Sequence, residues 1–439
     1  MKRGWRMAVL GPILLVLISL PLPAQAREVR TLRTPGGIGL WLVEEPGLPL
    51  VALRFAMRGG SLADPSGKEG AGDLFAALLD QGAGPLDAEA FQGRLEALGS
   101  RLSFSISRFA LSGGFVSVSR NLAATADLLR LSLVEPRCLP ADFERVRRQK
   151  IASVMQDESH PNRLALRLFY ANAFAGHAYA RPVRGTAETL ARLTVADMAG
   201  QRAKLLRGGG LHVVVVGAVS ARDAAALVDG IFAGLPEGDA PTAIASVEPA
   251  PVSAVLPAPE GQALETAVFA LPMPRTGDAS YFAALALAHI LGSGNFDARL
   301  TQDIRVKRAL TYAISAHLLT DPAASFLLGT FSTESGRMEE ALDTVRETLA
   351  TLQRDGPGER ELVNAKSSLN GSHLLGADGS AGFADYLLGL WIDGLDPDYD
   401  EARKSEINAV SLDGARQAAR TFFDPSAMRQ LILRPAGRD

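Results

Sequence analysis

The sequence lacks the residues on which several protein classes depend. It has one cysteine in 439 residues, which excludes an internal disulfide, a cysteine-based zinc finger and an iron–sulfur cluster. The formal net charge is −3, so we expect no nucleic-acid partner held by bulk positive charge. After the apolar N-terminus, no stretch is apolar enough to span a bilayer. These absences leave a globular protein whose chemistry has to come from other residues.

Histidine is also scarce, and its spacing argues against a metal site. The closest pair of the six histidines is His160 and His177, 17 residues apart, whereas two imidazoles on one helical face need a spacing of three or four. The motifs H-E-x-x-H, H-x-x-E-H and G-x-S-x-G are absent, as is a phosphate loop ending in G-K-[ST]. On this ground alone, a metal site built from distant histidines and a nucleophilic Cys138 both stay open.

The N-terminus has the pattern of a secretory signal. Three cations at Lys2, Arg3 and Arg6 precede an apolar run. The run ends at Ala24-Gln25-Ala26, a small-x-small cleavage site. We therefore expect residues 1–26 to be a cleaved signal peptide and the protein to be periplasmic or secreted. The alternative is that the segment is retained as a membrane anchor.

A proline-rich segment divides the remainder of the chain. Residues 236–260 contain six prolines among alanine, serine and glutamate. This composition predicts an extended interdomain linker. We therefore expect an N-terminal domain over residues 27–235 and a C-terminal domain over residues 261–439.

The two halves share one order of predicted elements. Each has an apolar strand, an alanine- and leucine-rich helix ending at glycine, an alternating strand, an amphipathic helix and a short β-rich segment. These are residues 51–57, 73–79, 103–107, 121–133 and 211–216 in one half, and 266–271, 281–291, 311–315, 338–352 and 431–433 in the other. Strands interspersed with helices in this repeated order predict an α+β fold of two repeated α/β-roll, sandwich-like domains.

Two groups of polar residues invite a functional interpretation. Arg147, Arg148 and Lys150 lie on a predicted helix with acids nearby, and such a run is usually a solvated face. Arg305 lies near the end of a helix predicted from Phe296 to about residue 308, and Tyr312 starts the next strand. An arginine fork and a phenolic donor could together hold a peptide backbone and stabilise a developing oxyanion. The alternative is a surface arginine and a half-buried tyrosine.

Two stretches resemble motifs of one peptidase family. Residues 300–314 read L-T-Q-D-I-R-V-K-R-A-L-T-Y-A-I and match L-x-x-x-[IL]-R-E-x-x-G-L-x-Y-x-[IV], with Val306 for the glutamate and Ala309 for the glycine. Residues 176–186 correspond to G-H-P-Y-x-x-P-x-x-G-[TS]. The chain therefore resembles the pitrilysin/insulinase-type zinc peptidases (inverzincins), in their short bacterial branch akin to processing peptidases. The resemblance covers nearly all of the chain after the signal segment.

The zinc motif of that family is missing. Its H-x-x-E-H positions are held by Asp73, Ala76 and Ala77, and the position of the distal glutamate falls near Ser153. One carboxylate and two methyl groups cannot hold zinc or activate its water. The resemblance therefore implies no cofactor on this chain, which alone would be inactive as a peptidase.

The resemblance also implies a partner. In the two-chain members of this branch, one subunit brings zinc and the other an arginine/tyrosine pair. Arg305 and Tyr312 would then act in trans on peptide substrates, with zinc on a homologous H-x-x-E-H subunit. The family's substrate-binding edge strand corresponds to Ser103, Phe104, Ser105, Ile106 and Ser107. The alternative is a non-enzymatic peptide-binding or scaffold protein on the same fold.

Overall fold

The computed structural model describes residues 27–239, 244–293, 296–372 and 377–435. The signal peptide predicted at residues 1–26 lies outside the described residues. Helices and strands interleave along the chain, which confirms the predicted α+β class. Within the described ranges, no helix is long and apolar enough to cross a membrane.

The first sheet lies in the N-terminal half. Its strands are β1 (Arg30–Arg33), β2 (Gly39–Glu44), β3 (Leu50–Arg58), β4 (Arg101–Ile106), β5 (Ala110–Val118) and β6 (Leu211–Gly217). They lie in the order β1-β2-β6-β3-β5-β4, and only β2 and β6 are parallel. Every residue of β6 is buried, because both faces of the central strands are covered.

The second sheet lies in the C-terminal half and repeats this topology. Its strands are β7 (Ser253–Pro257), β8 (Leu264–Pro272), β9 (Ile314–Thr320), β10 (Ser325–Glu334) and β11 (Arg429–Arg434). Their order is β7-β11-β8-β10-β9, with β7 and β11 parallel. Five strands of the first sheet, β2-β6-β3-β5-β4, have the same order and directions. In both sheets the last strand, β4 or β9, is an edge.

Helices pack against both sheets. In the N-terminal half they are α1 (Ala71–Leu78), α2 (Ala88–Ala97), α3 (Leu122–Val134), α4 (Pro140–Glu158), α5 (Pro161–Ala173), α6 (Ala187–Ala191), α7 (Val195–Leu205) and α8 (Ala221–Phe232). In the C-terminal half they are α9 (Tyr281–Gly292), α10 (Met338–Asp355), α11 (Glu359–Ser372), α12 (Gly379–Asp393), α13 (Tyr399–Ala409) and α14 (Leu412–Phe422). The four helices expected from the repeated order correspond to α1, α3, α9 and α10.

The proline-rich segment is not a free linker throughout. Its residues 253–257 form β7, which pairs with β11 along the edge of the second sheet. Before β7, the backbone N–H of Val247 donates to Ala323 O at 2.8 Å. Pro257 has no backbone N–H to donate to a neighbouring strand, and an edge strand tolerates this because one of its sides is unpaired. The second sheet therefore begins inside the segment predicted as linker.

Each half contributes one helix to the sheet of the other half. Helix α12 packs its apolar face on β3 and β6 of the first sheet. Conversely, α5 packs on β8 and β11 of the second sheet. The exchange buries faces that either sheet alone would leave in water, so the two halves stabilise each other.

Polar contacts cross the same junction. Arg54 Nε on β3 lies 2.6 Å from Asp385 Oδ1 on α12. The hydroxyl of Tyr179 donates to the carboxylate of Asp321, which follows β9. His212 on β6 stacks on Trp391 of α12, with the ring centroids 5.0 Å apart. The junction is thus held by an ion pair and aromatic stacking as well as apolar burial.

His212 should make the stability of this junction depend on pH. Burial, and secondarily the charge of Arg58, lower the pKa of His212 from 6.5 to about 4. Between these values the unfolded chain binds a proton that the folded chain does not, so stability falls as pH falls from 6.5 to 4. This histidine should cost about 3 kcal/mol at pH 4 relative to pH 7.

The measurement is urea unfolding of the wild type and of His212→Asn across pH 4–7. The substitution removes the titrating ring, so the stability difference between the two proteins should change by about 3 kcal/mol over that range. Parallel pH profiles for the two proteins would show that His212 does not carry the effect.

Candidate functional site

Helix α1 carries three of the four degenerate zinc positions, and a buried carboxylate fixes where the helix begins. Asp64 accepts hydrogen bonds from the backbone N–H groups of Gly70 at 2.9 Å and Gly72 at 3.0 Å. Gln201 on α7 donates a third, at 3.1 Å to Oδ1. Burial raises the pKa of Asp64 to about 6 even against these hydrogen bonds. Gly70 supplies the left-handed turn before the helix, with φ 89°.

The structure brings the degenerate zinc positions together between α1 and α4. Asp73 and Ala77 are four residues apart on α1 and share a face. Ala76, Ala77 and Ser153 line one open cavity of about 440 Å³, which we call the α1–α4 cavity. The remaining position, Asp73, is ion-paired to Lys150, which lines the same cavity. The four positions selected from the sequence are therefore neighbours in space.

These residues do not fit a zinc ion. Asp73 Oδ2 lies 2.7 Å from Lys150 Nζ, and Ser153 Oγ accepts a hydrogen bond from Arg184 at 2.7 Å. Alanine at the other two positions offers no donor atom for a metal, which needs three or four nitrogen, oxygen or sulfur ligands. Among the residues that the structure describes, no group of three potential ligands occurs anywhere.

No histidine among the described residues lines the α1–α4 cavity. His212 is buried in the junction, and His177 Nδ1 accepts a hydrogen bond from the backbone of Tyr179 at 3.1 Å. His373 lies outside the described residues. The histidines therefore add no ligand to the α1–α4 cavity.

Of the three cations in the basic run on α4, Arg148 is exposed as the sequence suggests, whereas Lys150 and Arg147 are not on a solvated face. The side chain of Lys150 is 22% exposed and is held by Asp73. Arg147 is 21% exposed, pairs with Glu144 and donates to the carbonyl of Ala191 at 2.7 Å. Periodicity missed these contacts because Asp73 and Ala191 are far from α4 in sequence. The run therefore connects α4 to neighbouring elements.

The predicted substrate-binding strand is β4, and it borders the α1–α4 cavity. It pairs with β5 on one side only and ends at Ile106, one residue earlier than predicted. Ser103 and Ser105 are exposed, and Phe104 lines the cavity. Ser107 lies in the following turn, where its Oγ accepts from the backbone of Ala110 at 3.1 Å. No strand of the described residues pairs with the outer side of β4, so β4 offers an open edge beside the cavity. Ser107 is not part of that edge.

The segment that carries Arg305 and Tyr312 differs from the predicted helix and strand. The helix expected over residues 296–308 is shorter, because only residues 299–306 are helical. Its larger part, Thr301–Val306, is a π-helical turn. Residues 311–313 stay out of the sheet because Thr311 Oγ1 donates to the carbonyl of Ser332 at 2.7 Å and caps its own turn. β9 therefore starts at Ile314, and Tyr312 lies in the connecting loop.

Arg305 and Tyr312 both point into solvent. Tyr312 is 88% exposed, and Arg305 is also exposed. Neither side chain makes a hydrogen bond or an ion pair with another described residue. Within the described residues, no polar or ring contact links Arg305 or Tyr312 to the α1–α4 cavity. The alternative of a half-buried tyrosine is therefore wrong, whereas its surface arginine agrees with the structure. Both donors are available to an external group.

Ala309 lies between these two residues in a conformation that suits glycine. Its φ is 50°, in the left-handed region that costs an L-residue about 1–2 kcal/mol. Ala309→Gly should stabilise the chain by about 0.5–1 kcal/mol, because the relieved strain exceeds the added entropy of the unfolded chain. Thermal unfolding tests this, with Ala313→Gly as the matched control. We expect Ala313→Gly to lower stability, because the φ of Ala313 is not positive. If both variants lost the same amount of stability, Ala309 would not be strained.

Comparison with known protein families agrees with the motifs. Residues 192–369 match the family described as "Peptidase M16 inactive domain". A Helicobacter pylori protein called "Non-peptidase homolog YmxG" is 24% identical over 368 residues, covering 83% of this chain and 84% of that protein. The Bacillus subtilis "Uncharacterized zinc protease YmxG" is 30% identical over 159 residues, 35% of this chain and 37% of that one.

Solved structures share the fold. A peptidase M16 inactive domain from Pseudomonas fluorescens superposes with a TM-score of 0.84 at 24% identity, over 93% of this chain and 98% of that one. A Helicobacter pylori protease gives 0.83 at 16% identity, over 93% and 100%. The sequence matches, the fold and the motifs agree that the chain is similar to the pitrilysin/insulinase-type (M16) peptidases and their inactive domains, and it carries no histidine at the positions of their zinc motif.

Proposed function

We propose that this chain is the zinc-free subunit of a heterodimeric periplasmic metallopeptidase that degrades or processes peptides. Its role is to bind the substrate and stabilise the transition state, while a homologous H-x-x-E-H subunit supplies the metal. The observation that carries the proposal is the contrast between a cavity without zinc ligands and an exposed, unpaired Arg305 and Tyr312.

The exposure of Tyr312 supports a partner. A tyrosine hydroxyl and ring left 88% in solvent contribute nothing to this chain's own core. Tyrosine and arginine are enriched at the centres of interfaces, where one end is buried and the other makes a hydrogen bond. A second chain packed over residues 305–312 would give both side chains a role.

Two unpaired sheet edges support peptide binding. β4 is the edge strand of the first sheet and lies beside the α1–α4 cavity. β9 is the edge strand of the second sheet, and its first residue comes two residues after Tyr312 in the sequence. An extended peptide can add to such an edge through main-chain hydrogen bonds. A peptide on β9 would pass Tyr312, whose hydroxyl would donate to the scissile carbonyl oxygen. The fork of Arg305 would hold a neighbouring carbonyl.

A non-enzymatic peptide-binding or scaffold role on the same fold is the alternative. The missing zinc ligands and the ion pair of Asp73 with Lys150 are compatible with it. The scaffold role requires no metal-bearing partner. It does not explain why Arg305 and Tyr312 are both exposed without a partner among the described residues.

Complex formation tests the proposal. Residues 27–439 would be mixed with the H-x-x-E-H homologue of the same genome at micromolar concentration and run on size exclusion. Hydroxyl-radical footprinting would then compare Tyr312 with Leu48, which is 61% exposed on the N-terminal half. We expect a one-to-one complex in which Tyr312 is protected and Leu48 is not. Separate elution, or full oxidation of Tyr312 in the complex, would favour the scaffold role.

A further inference from the structure

We propose that the ammonium group of Lys150 takes the place of the family's zinc ion between α1 and α4, and that it blocks zinc from returning. The inference concerns the α1–α4 cavity alone and does not rest on the proposed partner. It would hold equally for a subunit of a peptidase and for a scaffold protein.

Geometry places the ammonium where the metal would lie. Asp73 occupies the first ligand position, and its Oδ2 is 2.7 Å from Lys150 Nζ. Lys150 and Ser153 are three residues apart on α4 and share a face, and the distal ligand position falls near Ser153. Lys150, Ser153 and Ala77 line the same cavity. The cation therefore lies among the positions that would surround zinc.

Burial requires this cation to have its partner. The side chains of Asp73 and Lys150 are only 13% and 22% exposed, so each charge is largely removed from water and depends on the other. The methyl groups of Ala76 and Ala77 offer neither charge nor hydrogen bond. Lys150 makes no other ion pair with a described residue. The pair is thus the charged link between the two helices at this point.

An ammonium group in place of zinc keeps the charges of the ligand positions balanced. An H-x-x-E-H site with a distal glutamate has two carboxylates for the two charges of zinc. Here one carboxylate, Asp73, faces one ammonium, and alanine and serine stand at the two glutamate positions. Counting these groups alone, both arrangements are neutral, and both tie α1 to α4; Asp80 and Arg184, which also line the cavity, add one acid and one cation. In this proposal the ammonium of Lys150 supplies positive charge where the family has its metal ion.

Rebuilding the zinc ligands tests the proposal. One variant carries Asp73→His, Ala76→Glu, Ala77→His and Ser153→Glu, and a second carries these four changes together with Lys150→Ala. Zinc affinity is measured by competition with a chromophoric chelator. A cation within about 4 Å repels zinc, so the variant that keeps Lys150 should bind it on the order of 10²-fold more weakly.

The control adds Lys307→Ala to the fourfold variant. Lys307 is an exposed lysine paired with Asp303, and its removal should leave zinc affinity unchanged. Equal zinc affinity with and without Lys150 would overturn the proposal. Circular dichroism establishes that the rebuilt proteins are folded.

A second measurement decides the question if neither rebuilt protein binds zinc. Melting temperatures are compared for the native chain, Asp73→Ala, Lys150→Ala and the double variant. Each single change leaves a buried charge unpaired and should lower the melting temperature by roughly 3–8 °C. The double change should lower it by clearly less than the sum of the two. Additive losses would show that the two charges are not coupled and would overturn the proposal.

Discussion

Tyr312→Phe should lower the kcat of the reconstituted two-chain peptidase by on the order of 10²-fold. In the proposed mechanism, the change deletes one hydroxyl that donates to the oxygen on which negative charge develops. Because that hydrogen bond strengthens as the charge grows, the loss should fall on kcat more than on KM. The measurement is steady-state hydrolysis of a fluorogenic peptide by the mixed subunits.

The structure makes this substitution a clean test. The hydroxyl of Tyr312 makes no hydrogen bond with another described residue, and the side chain is 88% exposed. We therefore expect the melting temperature of Tyr312→Phe to equal that of the wild type. Phe296→Leu is the matched control, since Phe296 is 63% exposed and lies on the same segment. A loss below twofold for Tyr312→Phe would remove Tyr312 from the mechanism.

Arg305→Gln should raise the KM of the same assembly by about 10–100-fold, with a smaller effect on kcat. A charged fork holding a substrate carbonyl acts on the bound substrate as well as on the transition state, and such a hydrogen bond is worth about 1.5–3 kcal/mol. Arg305→Lys should recover part of the loss, because the charge returns without the planar fork.

Arg222→Gln is the matched control for Arg305. Arg222 is exposed on α8 in the other half and makes no ion pair or side-chain hydrogen bond with a described residue. Its substitution should leave both kinetic constants unchanged. An equal rise in KM for the two variants would indicate a general effect of positive charge on substrate attraction and not a clamp at Arg305.

The sequence predicts the regular part of the fold well. β3 and β8 are apolar runs bounded by turn residues, and both are found within one or two residues of the prediction. The repeated order of elements reappears as two sheets with the same strand order. Local patterns suffice here, because burial of one face fixes the period of a strand or helix.

The sequence does not predict how distant elements meet. The sequence does not show that α5 and α12 each pack on the sheet of the other half. An amphipathic pattern identifies the apolar face of a helix but not the sheet against which that face packs. Lys150 was assigned to a solvated face because its partner, Asp73, is 77 residues away. Tyr312 was placed in a strand, but the hydroxyl of Thr311 bonds to Ser332 and keeps it in a loop.

The sequence selected the residues of the candidate site but not their connections. The structure places Ala76, Ala77 and Ser153 on one cavity, and both Asp73 and Ser153 have partners that the motif does not contain. Asp64, which fixes the start of α1, was missed. Its signal in the sequence is an Asp-Pro pair six residues before Gly70.

The most direct test of the central claim is an activity titration with metal analysis. Residues 27–439 are purified, their zinc content is measured, and they are added stepwise to a fixed amount of the H-x-x-E-H homologue with a fluorogenic peptide. We predict that this chain alone holds no stoichiometric zinc and cleaves nothing, and that peptidase activity rises until the two chains are equimolar. Full activity of the homologue alone, unchanged by this chain, or stoichiometric zinc on this chain, would contradict the account.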